Sequence, residues 1–184
     1  MPNRKFANPE VYRYLQGLKS LVATTRFNNQ TWQENQDFLA KAITDDTLPP
    51  KTRCIYPCSV AIGETVPLAA NLFVLEMNNE TNQLLGVGLI KNHPPIFHRY
   101  EVYSQDKYNT YAYQGVHRID RAEMDEEELA LLRRLEFLCF RGSRHQKRMV
   151  GIRLFPIDIL YDVYMNDGVD VPAQLATMFK QRFL

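Results

Sequence analysis

The apolar positions of the N-terminal quarter follow a helical period. In residues 9–24 they recur every three or four positions behind Pro9, a residue favoured in the first turn of a helix. A second helix is predicted from Thr31, because Glu34 follows it at the spacing of a capping box. The prolines at positions 49 and 50 end this helical region.

From about residue 52 the pattern changes to short β-branched and aromatic runs, which are typical of strands. A first strand is predicted within residues 53–62. The runs 71–77 and 83–91 flank a polar connection, so they predict a β-hairpin. Within the second run, Gly86 and Gly88 fall on one strand face, where missing side chains let another strand or helix approach the backbone.

A tyrosine-rich stretch follows and predicts a second hairpin, formed by residues 98–104 and 110–119. Side chains alternate between the two faces of a strand. Alternation therefore places Tyr111, Tyr113 and His117 on the same face of this hairpin.

The last third of the chain returns largely to helical spacing. Residues 123–140 predict a strong helix that Asp125 can cap and that Gly142 can end. A strand broken at Pro156 comes next, and residues 171–183 predict a terminal amphipathic helix. This order of helices, mostly antiparallel strands, a helix, a strand and a final helix is typical of the α+β class.

The 184 residues fit a single domain, 1–184. Its parts are an N-terminal helical region (1–48), a β-region (52–155) and a C-terminal helical extension (156–184). The sequence has no apolar window long enough to span a membrane and no apolar signal core at its start, so we expect an intracellular protein without a membrane partner.

The charge is segregated along the chain. In total, 22 Lys and Arg against 21 Asp and Glu leave +1, which does not indicate a nucleic-acid-binding protein. Residues 120–128, however, contain six acids and one arginine, whereas residues 141–153 contain five cations and no acid. These cations are Arg141, Arg144, Lys147, Arg148 and Arg153, with His145 among them.

This basic stretch connects a predicted helix to a predicted strand. Gly142 and Ser143 leave backbone N–H groups available, and Arg or Lys side chains bind phosphate oxygens. The stretch therefore predicts a phosphate-rich partner. The alternative is that it pairs with the acidic start of the helix or stays solvated.

Aromatic residues support the same interpretation, because single-stranded bases stack on them while cations follow the backbone. The chain has 10 Tyr, 10 Phe and one Trp. Tyr111, Tyr113 and His117 are the candidates for base contact. Their alternative role is packing in the core or at its rim.

Enzyme signatures are missing: the sequence has no nucleotide-binding glycine loop, HExxH or GxSxG motif. Cys54 and Cys58 have CxxxC spacing, yet buried thiols explain them better than a zinc site, so no metal or cofactor is expected. With Cys139 they make an odd number, which favours reduced thiols.

A nuclease is the enzyme class that stays open. His117 or His145 could act as a base beside a bound phosphodiester. Asp120 with Glu123 could hold Mg²⁺.

Two runs of the sequence carry a resemblance to a known family. NLFVLEMNNETNQLLGVGLIKN (71–92) and, after the tyrosine-rich stretch, LEFLCFRGSRHQKRMVGI (135–152) resemble PUA-like domains of the EVE and YTH type. The same runs look like DNA-binding virion proteins of marseillevirus-like large DNA viruses. The resemblance spans residues 52–155.

The resemblance implies a small, twisted, mostly antiparallel β-barrel flanked by helices, and nucleic-acid binding without chemistry. Such domains place a base in an aromatic pocket, whose walls here would come from Trp32, Tyr56, Tyr100 or the tyrosines between 103 and 113. Because the single Trp lies in a predicted helix ahead of the barrel, binding of the nucleic-acid backbone is the part carried over.

Together these observations predict a non-catalytic nucleic-acid-binding protein, with DNA favoured over RNA. Phosphate contacts are predicted from the basic stretch and base contacts from the aromatic residues named above. The alternatives are a protein-interaction or virion structural module, which could form a homodimer, and a nuclease.

Overall fold

The computed structural model describes residues 8–94 and 99–183. Its helices are α1 (Pro9–Gly17), α2 (Asn29–Thr44), α3 (Glu126–Phe140), α4 (Ile157–Asp167) and α5 (Val171–Phe183). Its strands are β1 (Leu21–Phe27), β2 (Cys54–Cys58), β3 (Asn71–Asn78), β4 (Gln83–Lys91), β5 (Tyr111–Gly115), β6 (His117–Asp120) and β7 (Arg153–Leu154). Single turns of 3₁₀-helix occupy Asp106–Asn109 and Arg121–Glu123.

The strands form two sheets, and the predicted α+β class is confirmed. The larger sheet has the order β6-β4-β3-β1-β7, in which β1 and β3 are parallel and the other neighbours antiparallel. Strands β2 and β5 form a separate antiparallel pair. Only Val116 separates β5 from β6, so one residue links the two sheets. The described strands do not close into a barrel.

Both faces of the five-stranded sheet are covered, which explains why β3 is buried along almost its whole length. One face packs against the three C-terminal helices. Its cluster includes Phe73, Leu75, Leu84, Leu132, Leu135, Leu160, Leu175 and Phe179. The other face packs against the two-stranded sheet and α2. That cluster includes Leu72, Val74, Ile90, Leu39, Ile55, Tyr56 and Tyr113.

The first predicted helix ends earlier than its pattern indicates. Helix α1 ends at Gly17, and the chain continues as β1, which lies between β3 and β7. Thr24 and Thr25, both buried here, favour extended backbone, and the neighbouring strands satisfy both edges of β1. Pairing with the neighbouring strands therefore outweighs the helical spacing of the apolar residues. Helix α2 also begins earlier than predicted, with Asn28 rather than Thr31 as its cap.

The predicted second hairpin is wrong. Strand β5 pairs with β2, and residues 99–104 form no strand, while residue 98 lies outside the described residues. The reason is a local turn: the Asn109 side chain accepts from the backbone N–H of Tyr103 at 3.0 Å and donates to its carbonyl at 2.8 Å. These bonds close a loop where a strand ladder would otherwise form.

The β3–β4 hairpin is confirmed, and so is the close approach at its glycines. A Cβ on Gly88 would lie 2.0 Å from the Tyr56 hydroxyl of β2. A Cβ on Gly86 would lie 2.9 Å from both the Arg118 guanidinium and the Glu76 carboxylate. The two glycines therefore make room for buried polar side chains that cross the sheet.

Those side chains form a buried ionic cluster, which we define as Tyr56, Glu76 and Arg118. Glu76 accepts a hydrogen bond from the Tyr56 hydroxyl at 2.7 Å and from Arg118 Nε and Nη2, each at 2.8 Å. Burial lowers the pKa of Arg118, but Glu76 outweighs it and raises that pKa well above its ordinary value. The charges are thus paired and hydrogen-bonded, the condition under which ions are tolerated in a core.

Candidate nucleic-acid interface

The five predicted cations lie on one segment, residues 141–153, which we call the basic segment. It leaves α3 at Arg141 and turns at Gly142, whose φ of +74° suits glycine. Its middle is held against the rest of the fold, because the Lys147 carbonyl accepts from Asn79 Nδ2 at 3.1 Å and from the Arg26 guanidinium. Residues of β1 and of the β3–β4 turn therefore fix its course.

Few of these cations are neutralised. Arg144 forms an ion pair with Asp158, and both side chains are about half exposed. Lys147 Nζ donates to Asn82 Oδ1 at 2.7 Å, and Arg153 Nε donates to the Val150 carbonyl at 2.9 Å. No hydrogen bond or ion pair joins the side chain of Arg141 or Arg148 to any residue that the structure describes. Within that part of the chain, only one cation of the segment has an acidic partner.

The acidic stretch, residues 120–128, has its partners elsewhere. Asp120 pairs with Arg118 at 2.9 Å, Glu126 approaches Arg133 at 3.8 Å, and Glu128 pairs with Arg182. The alternative in which this stretch neutralises the basic segment therefore does not describe the structure. The acidic and basic stretches cancel in the net charge of the chain, but they do not pair with each other in the structure.

A pocket of about 280 Å³ borders the basic segment. It lies where β1 ends and α2 begins, and its wall is completed by the loop through Tyr103 and Tyr108 and by Val150 and Gly151. The N-terminus of α2 presents free backbone N–H groups and the positive end of the helix dipole, which favour anionic ligands.

Polar groups without a partner line this pocket. Arg26 Nε and Asn79 Oδ1 are buried and find no hydrogen-bond partner among the described residues. Burial lowers the pKa of Arg26, and the nearby Tyr108 hydroxyl opposes that shift. Burial raises the pKa of Glu34, but hydrogen bonds from Ser104 and Gln30 outweigh it, so that pKa lies below its usual range. The pocket thus offers a cation and a carboxylate.

Aromatic rings form part of the wall. The ring centroids of Tyr103 and Tyr108 lie 6.4 Å apart at 88°. Of the walls that the resemblance implies, these two are present, whereas Tyr56 and Tyr100 are buried outside the pocket. Trp32 does not line the pocket; its ring packs on Phe27 at 5.0 Å and beneath the Arg118 guanidinium at 5.4 Å.

The predicted base-contact residues are not brought together. Tyr111 is 37% exposed and pairs with Cys58, which lies beside Gly151 of the basic segment. Tyr113 is only 1% exposed and its hydroxyl accepts from the Ile62 N–H at 3.0 Å, so its ring is not available for stacking.

His117 is also separated from the basic segment. Its ring packs against Phe183 with centroids 4.6 Å apart, and β6 and β7 are opposite edges of the larger sheet. His145 does lie within the segment, where its Nδ1 accepts from the Lys147 N–H at 3.3 Å. The structure therefore leaves Tyr111 and His145 beside the cations.

Arg26 and Asn79 are absent from the residues that the sequence predicts, whereas Tyr108 is among the tyrosines that the resemblance implies as pocket walls. Helical spacing in residues 9–24 leaves Arg26 in a connection between helices, where a lone arginine carries no signal. Once β1 is recognised as a strand, Arg26 becomes a candidate, because a strand followed at once by the capping residue Asn28 marks the start of a strand-to-helix site.

Metal-ligating groups are scattered. Within residues 8–94 and 99–183, no three His, Cys, Asp or Glu side chains are placed to share a metal ion. Burial raises the pKa of Cys54 to about 12 and that of Cys58 to about 11. Asp120, a candidate Mg²⁺ ligand, is engaged by Arg118 and by the Ala122 N–H at 2.8 Å.

None of the helices that the structure describes has the length and apolar character needed to cross a membrane. No family model matches the chain, and comparisons with curated proteins and with solved structures give no match either.

Proposed function

We propose that this protein binds nucleic acid through the basic segment, without performing chemistry on it. The observation that carries the proposal is the state of the segment: five cations and no acid, with a single acidic partner among the described residues. Arginine and lysine at such positions bind phosphates, and the release of counterions provides much of the affinity. DNA is the favoured ligand, as the resemblance implies.

The pocket extends the proposal from phosphates to a base. Tyr108, half-buried and packed edge-on against the buried Tyr103, offers a ring surface, and Arg26 Nε and Asn79 Oδ1 are an unused donor and acceptor. An extruded base is bound by stacking combined with hydrogen bonds to its edge. In this proposal the phosphates lie on the basic segment and a base enters the pocket beside it.

The proposal includes a partly open barrel of the PUA-like kind. Two features support it: only Val116 separates β5 of the smaller sheet from β6 of the larger one, and Gly151, just ahead of β7, lies against β2 and the residues after it. A Cβ on Gly151 would be 2.9 Å from the Val60 side chain and 3.6 Å from Cys58 Cβ. The two sheets therefore approach each other at two places: the junction of β5 with β6, and the residues just ahead of β7.

Replacing Arg141, Arg144, Lys147 and Arg148 together by glutamine should abolish most of the binding. Each phosphate neutralised on duplex DNA contributes a slope of about −0.9 to the plot of log affinity against log salt concentration. For the wild-type protein we expect a slope of about −3 to −4. For the variant we expect a slope near zero and an affinity lower by roughly two orders of magnitude at low salt. Fluorescence anisotropy of a labelled oligonucleotide measures both quantities.

The matched control replaces four exposed lysines outside the segment, Lys19, Lys51, Lys91 and Lys180, by glutamine. It removes the same charge and should retain most of the slope. A wild-type isotherm that does not depend on salt, or a variant that binds like the control, would contradict the proposal. Degradation of the labelled oligonucleotide in the presence of Mg²⁺ would favour the nuclease instead.

Tyr108 tests the pocket separately. Because stacking on an aromatic ring contributes about 1–3 kcal/mol per base, Tyr108→Ala should weaken binding of a single-stranded oligonucleotide by at least about fivefold. Tyr108→Phe keeps the ring and should bind nearly as the wild type. Tyr164→Ala, an exposed tyrosine of α4, is the control. Equal affinities for the Tyr108→Ala and wild-type proteins would remove the pocket from the interface.

A further inference from the structure

Phe137 is an aromatic side chain that the fold leaves in solvent. The inner face of α3 packs on the sheet through Leu132, Leu135 and Cys139, whereas Phe137 on the outer face is 68% exposed. It plays no part in the core, and it lies close in sequence to the basic segment. A single exposed apolar residue is common on protein surfaces, so it is the charges beside this ring that indicate a partner.

Three arginines surround this ring. Residues three and four positions apart are neighbours on a helix surface, which places Arg133, Arg134 and Arg141 beside Phe137. Arg133 approaches Glu126 at 3.8 Å and Arg134 pairs with Asp167, but the side chains of both arginines stay more than 40% exposed. Arg141 belongs to the basic segment, and its side chain has no partner among the described residues. The surface therefore has an apolar centre, two partly neutralised arginines one turn towards the start of α3, and the unneutralised Arg141 one turn towards its end.

We propose that Phe137 stacks on an unpaired base of a single-stranded nucleic acid whose phosphates lie on the basic segment. This inference rests on the proposed function and specifies its ligand. A ring bordered by guanidinium groups suits a partner that alternates flat apolar faces with anionic groups, and single strands have that composition. The strand runs from Phe137 past Arg141 towards Arg148.

The charges at the other end of α3 argue against a duplex lying along the helix. Glu126 and Glu127 are exposed in the first turn, so phosphates brought there would meet carboxylates. In addition, the bases of a duplex stack on each other and offer no free face unless the helix is kinked. A single strand that meets α3 only in its second half avoids both obstacles.

The test compares Phe137→Ala with the wild type on a labelled oligothymidine strand, on a duplex of the same length and on inorganic polyphosphate. We expect at least a fivefold loss of affinity for the single strand, and little change for the duplex and polyphosphate. The salt slope should stay the same because no charge is removed. Phe137→Trp should bind the single strand at least as tightly as the wild type.

Ile43→Ala is the matched control, since Ile43 is a comparably exposed apolar residue, at 67%, in α2. Both variants change surface positions, so unfolding temperatures near that of the wild type are expected and are measured first.

If Phe137→Ala binds the single strand as the wild type does, the stacking contact is wrong while the proposed function stands. An equal loss on duplex and polyphosphate also overturns it, because the residue would then only support the segment. A wild-type protein that binds none of the three ligands overturns both proposals. Binding of an acidic polypeptide that depends on Phe137, with unchanged single-strand affinity, would assign the surface to a protein partner.

Discussion

Replacing Glu76 by alanine should lower the free energy of unfolding by about 3–5 kcal/mol, because it leaves the buried Arg118 guanidinium with only the partly exposed Asp120 as a counterion. The Arg118 side chain is only 11% exposed, so water cannot replace the lost carboxylate. The Tyr56 hydroxyl loses its acceptor as well. Chemical denaturation followed by circular dichroism measures the change.

Two further variants separate this effect from a general loss of packing. Glu126→Ala removes a carboxylate from an exposed pair and should change stability by less than about 0.5 kcal/mol. Combining Glu76→Leu with Arg118→Met removes both charges and should recover most of the loss, since an apolar pair of similar volume can replace a buried ion pair. A loss below about 1 kcal/mol for Glu76→Ala would show that Arg118 reaches solvent.

Gly115→Ala should also destabilise the fold strongly. A Cβ at this position would lie 2.1 Å from the Leu89 carbonyl oxygen and 3.0 Å from its carbon. Because these are backbone atoms of β4, relief requires the two sheets to separate where Val116 joins them. We expect a loss of about 3 kcal/mol or more, at the upper end of the cost of overpacking. The midpoint of thermal unfolding measures it.

Gly17→Ala is the control for this substitution. No atom lies within 4 Å of a Cβ on Gly17, outside its own helix backbone and chain neighbours, and its backbone is helical. Alanine there should be neutral or slightly stabilising, because it restricts the unfolded chain. If Gly115→Ala unfolds at the temperature of the Gly17 variant, the two sheets have more freedom at their junction than this geometry allows.

The secondary structure was most predictable from the sequence where local signals and tertiary contacts agree. The β3–β4 hairpin has two apolar runs around a polar turn, and Asp125 caps α3 as its spacing indicates. In β1 they disagree, because its apolar spacing fits a helix and only its position between β3 and β7 makes it a strand. Pairing partners at such separations leave no trace in a local window.

Some parts of the candidate site were likewise predictable from the sequence, and others were not. The basic segment can be identified from the sequence when charges are counted along the chain, although the total charge does not reveal it. Alternation places Tyr111 and Tyr113 on one face but does not say how deeply each is covered, and the structure buries Tyr113 while leaving Tyr111 37% exposed. The pocket depends on Arg26, Asn79 and Tyr108, which three distant parts of the chain supply. No spacing rule connects them, so they become visible only when β1 is placed.

The hydrogen bonds to the Lys147 carbonyl bear on the thermodynamics of the proposed nucleic-acid binding. Hydrogen bonds from Asn79 and Arg26 immobilise the backbone in the middle of the basic segment before any ligand arrives. The conformational entropy of ordering a loop is therefore lost during folding and not again on association, which is the advantage of a preorganised interface. In the proposed complex the segment is therefore ordered in advance, unlike a flexible tail that must fold around its partner.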